Sequence, residues 1–324
     1  MHGGGMNSRY VGYLFCGLAM IGVGSTVVVS KTIAAGLPPF SATALRFAIA
    51  FPVFLLVMRV RGVHWPRLAW RDVLLLIAQA GAGSVGYTVF LISGMKLASA
   101  ADAGVIAGTL PAVSALVAML ALGERPAPSL IGAIVLATSG VLVCTMRPGD
   151  LGASHAASSL VGNALVFAAI VCEALFILLN RKLRTPVAAL PLSALMSGIG
   201  FAVAIVPACF EHAWRLSFDA AALAGVVYYA WVPTVGGFVL WYAGAARISG
   251  AEAGLMTALV PISAVVMAAA FLHEPVTGAQ LAGVVCARRG PARDGGAPEA
   301  CTASPGVTWR TWRTWRTRCM WSRL

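Results

Sequence analysis

Apolar and polar residues do not alternate along this chain; the apolar ones run together in blocks long enough to cross a bilayer. A hydrocarbon core about 30 Å thick calls for roughly 20 residues of helix, and helix is required because backbone groups in lipid find no partners except one another. Nine runs meet that need: 11–30, 41–58, 73–93, 100–122, 128–146, 160–180, 188–210, 221–245 and 251–272. A tenth starts near Val276 and meets Arg288 and Arg289 before it reaches that length. The first run follows Arg9 like a signal peptide but lacks a cleavage region, so it reads as the first helix. The pattern predicts an all-α, polytopic membrane protein.

Composition agrees with the pattern. Of 324 residues, 59% are hydrophobic and 10% charged, against roughly 25% charged in soluble domains, so polar surface is too scarce to clothe a soluble core. The net charge of +12 resembles a nucleic-acid signal until it is located. Eight arginines beyond Ala287, set against Asp294 and Glu299, supply +6 of it, and no basic face with interleaved polar residues exists. Nucleic acid is therefore not an expected partner. The seven cysteines form no CxxC pair, and Cys16, Cys144, Cys172 and Cys209 lie in or at the ends of apolar runs, where they read as small hydrophobes.

Lys and Arg are enriched in cytoplasmic loops. With the N-terminus inside, ten fall in inner loops (Arg9, Arg59, Arg61, Arg67, Arg71, Arg125, Arg181, Lys182, Arg184, Arg247) and four in outer loops (Lys31, Lys96, Arg147, Arg215). The expected location is the cell inner membrane with a cytoplasmic N-terminus.

Shifted by 150 residues, Val85–Glu124 overlays Val235–Glu274 with twelve identities in forty positions, among them Ser99/Ser249, Pro111/Pro261 and Glu124/Glu274. That exceeds what shared composition gives, so the chain reads as an internal repeat. Each unit holds five helices; an odd number turns the second unit over, which puts Glu124 on the cytoplasmic face and Glu274 outside. Inverted repeats are typical of secondary transporters with a site near the bilayer midplane.

The segments GSTVVVSK (24–31), FSATALRF (40–47), ASAADAGVIAGTLPAVSALVAMLALGERP (98–126), EALFILLNRKL (173–183) and ISGAEAGLMTALVPISAVVMAAAFLHEP (248–275) together resemble the EamA type of the drug/metabolite transporter superfamily over residues 10–285. The resemblance implies ten helices in two inverted five-helix halves around a central cavity, with transport of a small metabolite, and leaves room for a homodimer. The expected boundaries are a cytoplasmic N-terminus at 1–10, a first repeat at 11–146, a linker at 147–159, a second repeat at 160–287 and a basic Trp/Arg tail at 288–324. Gly24, Ser25 and Lys31 match the family's first-helix motif, although Val23 stands where a Trp is common.

Several residues bear on chemistry. Ser99–Asp102 and Ser249–Glu252 read S-x-x-D/E before an apolar run, the capping-box pattern that satisfies orphan amides at a helix start. Pro111 and Pro261 lie near mid-membrane, where each leaves a carbonyl, of Ala107 and Thr257, without its helical partner; such kinks are expected beside the transport path. Glu173 inside the sixth run is costly as a carboxylate unless paired, hydrated or protonated, so it reads as a proton carrier or as a pair for Arg46 or Arg181. Arg46, five residues into the second run, reads as a partial snorkel, a structural pair, or an anchor for a cargo carboxylate or phosphate. Phe238, Trp241 and Tyr242 share a helical face and suit an interfacial aromatic belt, with a stacking wall for planar cargo as the alternative; Tyr87 and Phe90 have weaker claims.

GAGSVG at 81–86 fits the dinucleotide fingerprint G-x-G-x-x-G, yet it sits in one continuous apolar run without the strand the motif requires, so small residues lining a helix contact explain it better. No HExxH, Walker A loop or metal pair occurs. No cofactor or metal is expected, and energy must come from a gradient or transport is passive. From Cys286 the apolar pattern stops and TWRTWRTWRTR follows; an altered reading frame, or an atypical terminus that adsorbs to anionic headgroups, is expected there. The reading is a secondary transporter, an exporter of an amino acid or related metabolite by alternating access with proton coupling through Glu173. Its alternatives are an intramembrane transferase on a lipid-linked substrate and the non-functional product of a damaged transporter gene.

Overall fold

The computed structural model describes residues 4–122, 153–185, 187–213, 219–248, 252–253, 256–257 and 259–272. The described chain forms nine helical elements: α1 (Gly4–Gly36), α2 (Pro39–Val60), α3 (Trp70–Met95), α4 (Ala100–Ala107), α5 (Leu110–Leu122), α6 (Ala153–Arg181), α7 (Ala189–Phe210), α8 (Ala220–Ala245) and α9 (Leu259–Leu272). Among the described residues there is no strand. Six of the helices (α1, α2, α3, α6, α7 and α8) are long and apolar enough to cross a membrane. The expected run 128–146, the repeat glutamates Glu124 and Glu274 and the tail from 288 lie outside the described residues.

The run expected at 100–122 is two helices, and the reason is Pro111. It has no N–H for the carbonyl four residues back, so the chain tightens to three-residue turns, with Gly108 N bonding Val105 O at 2.9 Å and Thr109 N bonding Ile106 O at 2.9 Å, and restarts at Leu110. One repeat length later the same tightening precedes Pro261: Val260 N donates to Thr257 O at 3.1 Å. The Thr257 carbonyl is therefore taken, contrary to the expectation that Pro261 would leave it free.

A second irregularity also recurs. Within α3 the turn widens over Gln79–Gly86, and within α8 over Ala230–Gly236, to the i→i+5 spacing of a π-helix. Pro233 accounts for the second. It cannot donate to Tyr229 O, and the wider register lets the Thr234 hydroxyl donate to that carbonyl at 2.7 Å.

Packing joins elements far apart in sequence. α1 lies against α8 and α9, α6 lies against α3 and α5, and α2 pairs with α7. Small residues permit this closeness: a Cβ on Gly24 would sit 2.6 Å from Val260 O of α9, and one on Gly244 of α8 2.6 Å from Cys16 Sγ. Gly83 and Gly86 meet Phe176 and Cys172 of α6, while Gly81 faces open space. The 81–86 motif is thus a helix contact made by two of its three glycines. Cys16 and Cys172 are buried as expected, whereas Cys209 is exposed and Cys144 lies outside the described residues.

At the chain's start, Arg9 and Tyr13 both donate to Glu252 Oε1, the tyrosine hydroxyl at 2.5 Å. Ser99 caps α4 as predicted, its oxygen accepting from Asp102 N at 3.0 Å. Ser249 lies outside the described residues, and Glu252 reaches across to α1.

Candidate functional site

Residues of both π segments, Gly83 and Ser84 of the first and Pro233 and Thr234 of the second, help line a cavity of about 50 Å3 walled by five helices (α1, α2, α3, α6 and α8), room for a few waters. Its charged members are Arg46 from α2 and Glu173 from α6. Only 5% and 8% of their surfaces are exposed. The expectation that Arg46 partly snorkels to an interface is not met. Its Nη2 instead turns inward to Ser84 Oγ at 3.2 Å and Ser84 O at 3.4 Å, and its guanidinium carbon lies 4.2 Å from the Phe47 ring centroid and 5.5 Å from that of Tyr229. The π register makes the contact by presenting Ser84 on that side. Arg46 and Glu173 form no direct ion pair, although each lies within the other's electrostatic reach. A guanidinium and a carboxyl group thus face one small space without a direct bond between them.

Hydroxyls and rings complete the walls. Thr26 of α1 shares a 2.8 Å hydrogen bond with Tyr87 of α3, and Tyr229 donates to Thr26 O at 3.0 Å and bonds Ser30 at 2.5 Å. Phe176, Phe238 and Tyr242 form an aromatic triad with centroids 6.0–6.2 Å apart. Trp241 and Tyr242 are each 5% exposed, so the belt expected of this face is not formed by them; Trp231, half-exposed on the same helix, faces outward. Three buried polar atoms here, Arg46 Nε, Trp241 Nε1 and Tyr242 Oη, have no hydrogen-bond partner among the described residues.

Of the residues expected at the site, Arg46, Glu173, Tyr87 and Trp241 line the cavity, and Tyr242 stands behind Phe176 and Phe238. Ser25 does not line it; its hydroxyl donates to Gly22 O at 2.6 Å and accepts from Tyr228 at 2.8 Å. Pro261 is buried in α9 and is not among the lining residues, Pro111 begins α5 with its side chain outside the described residues, and Phe90 points outward. The proline beside the cavity is Pro233, which sequence reasoning passed over although it interrupts an apolar run in the same way as the two that were singled out. Thr26, Ser84 and Phe176 were missed as well. Among the described residues no cluster of His, Cys, Asp and Glu could hold a metal.

The EamA-like transporter family model matches residues 10–146 and 160–290. The chain belongs to this family. It is accordingly a multi-pass membrane protein that carries small molecules and is not an enzyme, which disposes of the transferase alternative. EamA-like relatives include an uncharacterized transporter, YetK, of Bacillus subtilis (strain 168), 31% identical with 88% of this chain and 87% of the relative covered. A probable terminal-alkyne amino-acid exporter of Streptantibioticus cattleyicolor is 30% identical over 66% of this chain and 69% of the relative. A probable amino-acid metabolite efflux pump of Salmonella typhimurium is 28% identical over 86% and 92%. A solved structure titled only as the crystal structure of a protein aligns with a TM-score of 0.59 at 22% identity, covering 87% of this chain and 94% of that one, which establishes the fold alone.

Proposed function

We propose that this EamA-like protein exports an amino acid or a close relative by alternating access, its cargo held between Arg46 and Glu173. The observation that carries the reading is the unbridged pair of opposite charges on one buried cavity. Unpaired, each charge is costly away from water. A zwitterion would place its carboxylate on the guanidinium and its ammonium on the carboxylate, and its side chain would lie against Phe176, Phe238 and Trp241. Relatives named as amino-acid exporters support that choice of cargo. With room for only a few waters, the cavity is closed to such a molecule, as the state between two openings must be.

Two inverted halves would supply the alternation. The repeat at 150 residues, the two family matches, the paired π segments and the paired tight turns before Pro111 and Pro261 all support them. The packing is reciprocal too, α1 on α8 and α9 answered by α6 on α3 and α5. Lys and Arg counts support a cytoplasmic N-terminus in the inner membrane. Glu173, the acid on the path, is the residue to exchange a proton for cargo.

Purified protein in liposomes with labelled amino acids and an imposed pH gradient tests the reading. Saturable, gradient-driven flux is expected; Arg46→Ala should raise KM at least tenfold, the scale of a lost charge-assisted contact. Glu173→Gln should abolish driven flux, while cargo exchange persists with a raised KM because the ammonium has lost its carboxylate partner. Flux indifferent to the gradient removes proton exchange, and an unchanged KM in Arg46→Ala removes the carboxylate anchor.

A further inference from the structure

The pairing of α2 with α7 has a construction unlike the rest of the bundle. Ser41, at the start of α2, lies against Glu211, just past the end of α7. Asp72, which follows α2 after a short loop, lies against Arg184 and Thr185, just before the start of α7. The two helices are therefore antiparallel, with one contact at each end. A 22-residue helix is about 33 Å long, so the contacts sit at opposite membrane faces.

Each contact is a carboxylate that accepts from backbone amides of the opposite half of the chain: Glu211 caps the first turn of α2, and Asp72, in the first turn of α3, holds the loop that leads into α7. Pro38 and Ala188, at the N-caps of α2 and α7, make no side-chain cap bond. At the first end, Glu211 accepts from Phe40 N at 3.0 Å, Ser41 N at 2.6 Å and the Ser41 hydroxyl at 2.7 Å. At the other end, Asp72 accepts from Thr185 N at 3.1 Å and the Thr185 hydroxyl at 2.5 Å, with Arg184 N at 3.4 Å. A capping carboxylate normally comes from the same helix; Glu211 comes from the opposite half of the chain, and Asp72 likewise crosses between halves to hold the loop before α7. Between the two ends the helices touch so closely that a Cβ on Gly198 or Gly200 would lie 2.8 Å from the Phe51 or Phe47 ring. The middle is a close contact of glycines with aromatic rings, while the ends are hydrogen bonds near the helix termini, where freed amides and a freed carboxylate can be hydrated once the end parts. Such a pair parts at its ends before its middle, and Arg46 is carried one turn from the Glu211 end.

We infer that Glu211 and Asp72 are the two gate latches of the transport cycle, one letting go of its end of the α2–α7 pair while the other holds. Both contacts are made here, and Arg46 of α2 joins the pair to the cavity wall. The inference rests on the alternating-access reading, and its test separates the two. In a background with the native cysteines replaced by serine, Val23→Cys on the cavity wall is labelled in sealed vesicles of either orientation with a membrane-impermeant maleimide.

Glu211→Gln should raise labelling from the Glu211 face and lower it from the other, and Asp72→Asn should do the reverse. Each shift should be about tenfold, the scale of losing one charge-assisted hydrogen bond. Ser41→Ala and Thr185→Val, which keep both acids, should give the same directions more weakly and cover a failure of the acid variants to fold. A face preference in the wild type that responds to cargo but is unmoved in all four variants overturns the latches and leaves alternating access standing. Labelling from one face only, whatever the cargo, overturns both.

Discussion

Substituting the three glycines of the 81–86 segment one at a time separates helix packing from any collective role of the motif. A Cβ on Gly83 would lie 2.3 Å from Phe176 Cβ and 2.8 Å from Phe176 Cα. Neither atom is the free end of a flexible side chain, so α3 and α6 must part, and overpacking of this kind costs about 1–3 kcal/mol. Alanine recovers about 1 kcal/mol of helix propensity over glycine, which leaves Gly83→Ala destabilised by up to about 2 kcal/mol. Gly81 has nothing within 4 Å of its Cβ position, so Gly81→Ala keeps only the propensity gain of about 0.5–1 kcal/mol. Gly86 would meet Cys172 Sγ at 3.1 Å, which calls for a small adjustment and a near-neutral result. Thermal unfolding in detergent, followed by a thiol-reactive dye, reads the effect through the buried Cys16 and Cys172. Flux should fall in Gly83→Ala alone, because the shift displaces Phe176 from the cavity wall. Equal losses at Gly81 and Gly83 would refute the packing account and return the motif to use as a unit.

Other expectations follow from the same geometry. Tyr242→Phe removes a buried hydroxyl without a partner among the described residues and should raise the unfolding temperature, by about 1 kcal/mol in stability, while weakening cargo binding if the hydroxyl is kept for cargo; a loss of stability would mean that the group is already satisfied. Thr26→Val breaks the bond to Tyr87 and should cost about 1–2 kcal/mol, with Tyr87→Phe adding little in a double-mutant cycle; additive costs would show that the two groups act separately. Arg9→Ala should leave thermal stability close to wild type at high salt, since the Arg9 side chain is 61% exposed and exposed pairs are screened; a salt-independent loss would mark Arg9 and Glu252 as structural.

How far the sequence was legible depends on the range of the interaction. The six long spans follow from local hydrophobic runs, and Ser99 as a cap follows from a four-residue pattern. Arg46 and Glu173 stood out because charge is rare in such runs, and the fold brings them to one cavity. Their relation was not legible: whether they bond depends on how α2 and α6 are spaced by α3, and the wider turn at Gln79–Gly86 sets where Ser84 meets Arg46. Glu211 and Asp72 drew no attention, since each lies at a helix end, one just past α7 and one in the first turn of α3, with a partner more than a hundred residues away. The aromatic face of α8 was assigned outward because a belt and a cavity wall share one helical spacing, and only the packing of α6 against that region decides between them.

The distribution of unsatisfied groups gives these observations a common physical sense. Folded interiors rarely leave a buried donor without a partner, because each such group costs about 1–3 kcal/mol. Here two of them, Arg46 Nε and Trp241 Nε1, belong to residues that line the cavity, and a third, Tyr242 Oη, lies behind Phe176 and Phe238. The hydroxyls nearby are spent on one another, with Thr26 on Tyr87 and Ser30 on Tyr229. Gln79 Oε1, Ser114 Oγ, both side-chain polar atoms of Asn163 and Ser197 Oγ also lack a partner among the described residues but lie off the cavity lining, so what is left open at the cavity itself is the pair of donors on Arg46 and Trp241. A polar solute entering there would relieve the unpaired donors, whereas an apolar one would leave them unpaired and give up its own favourable place in lipid for nothing.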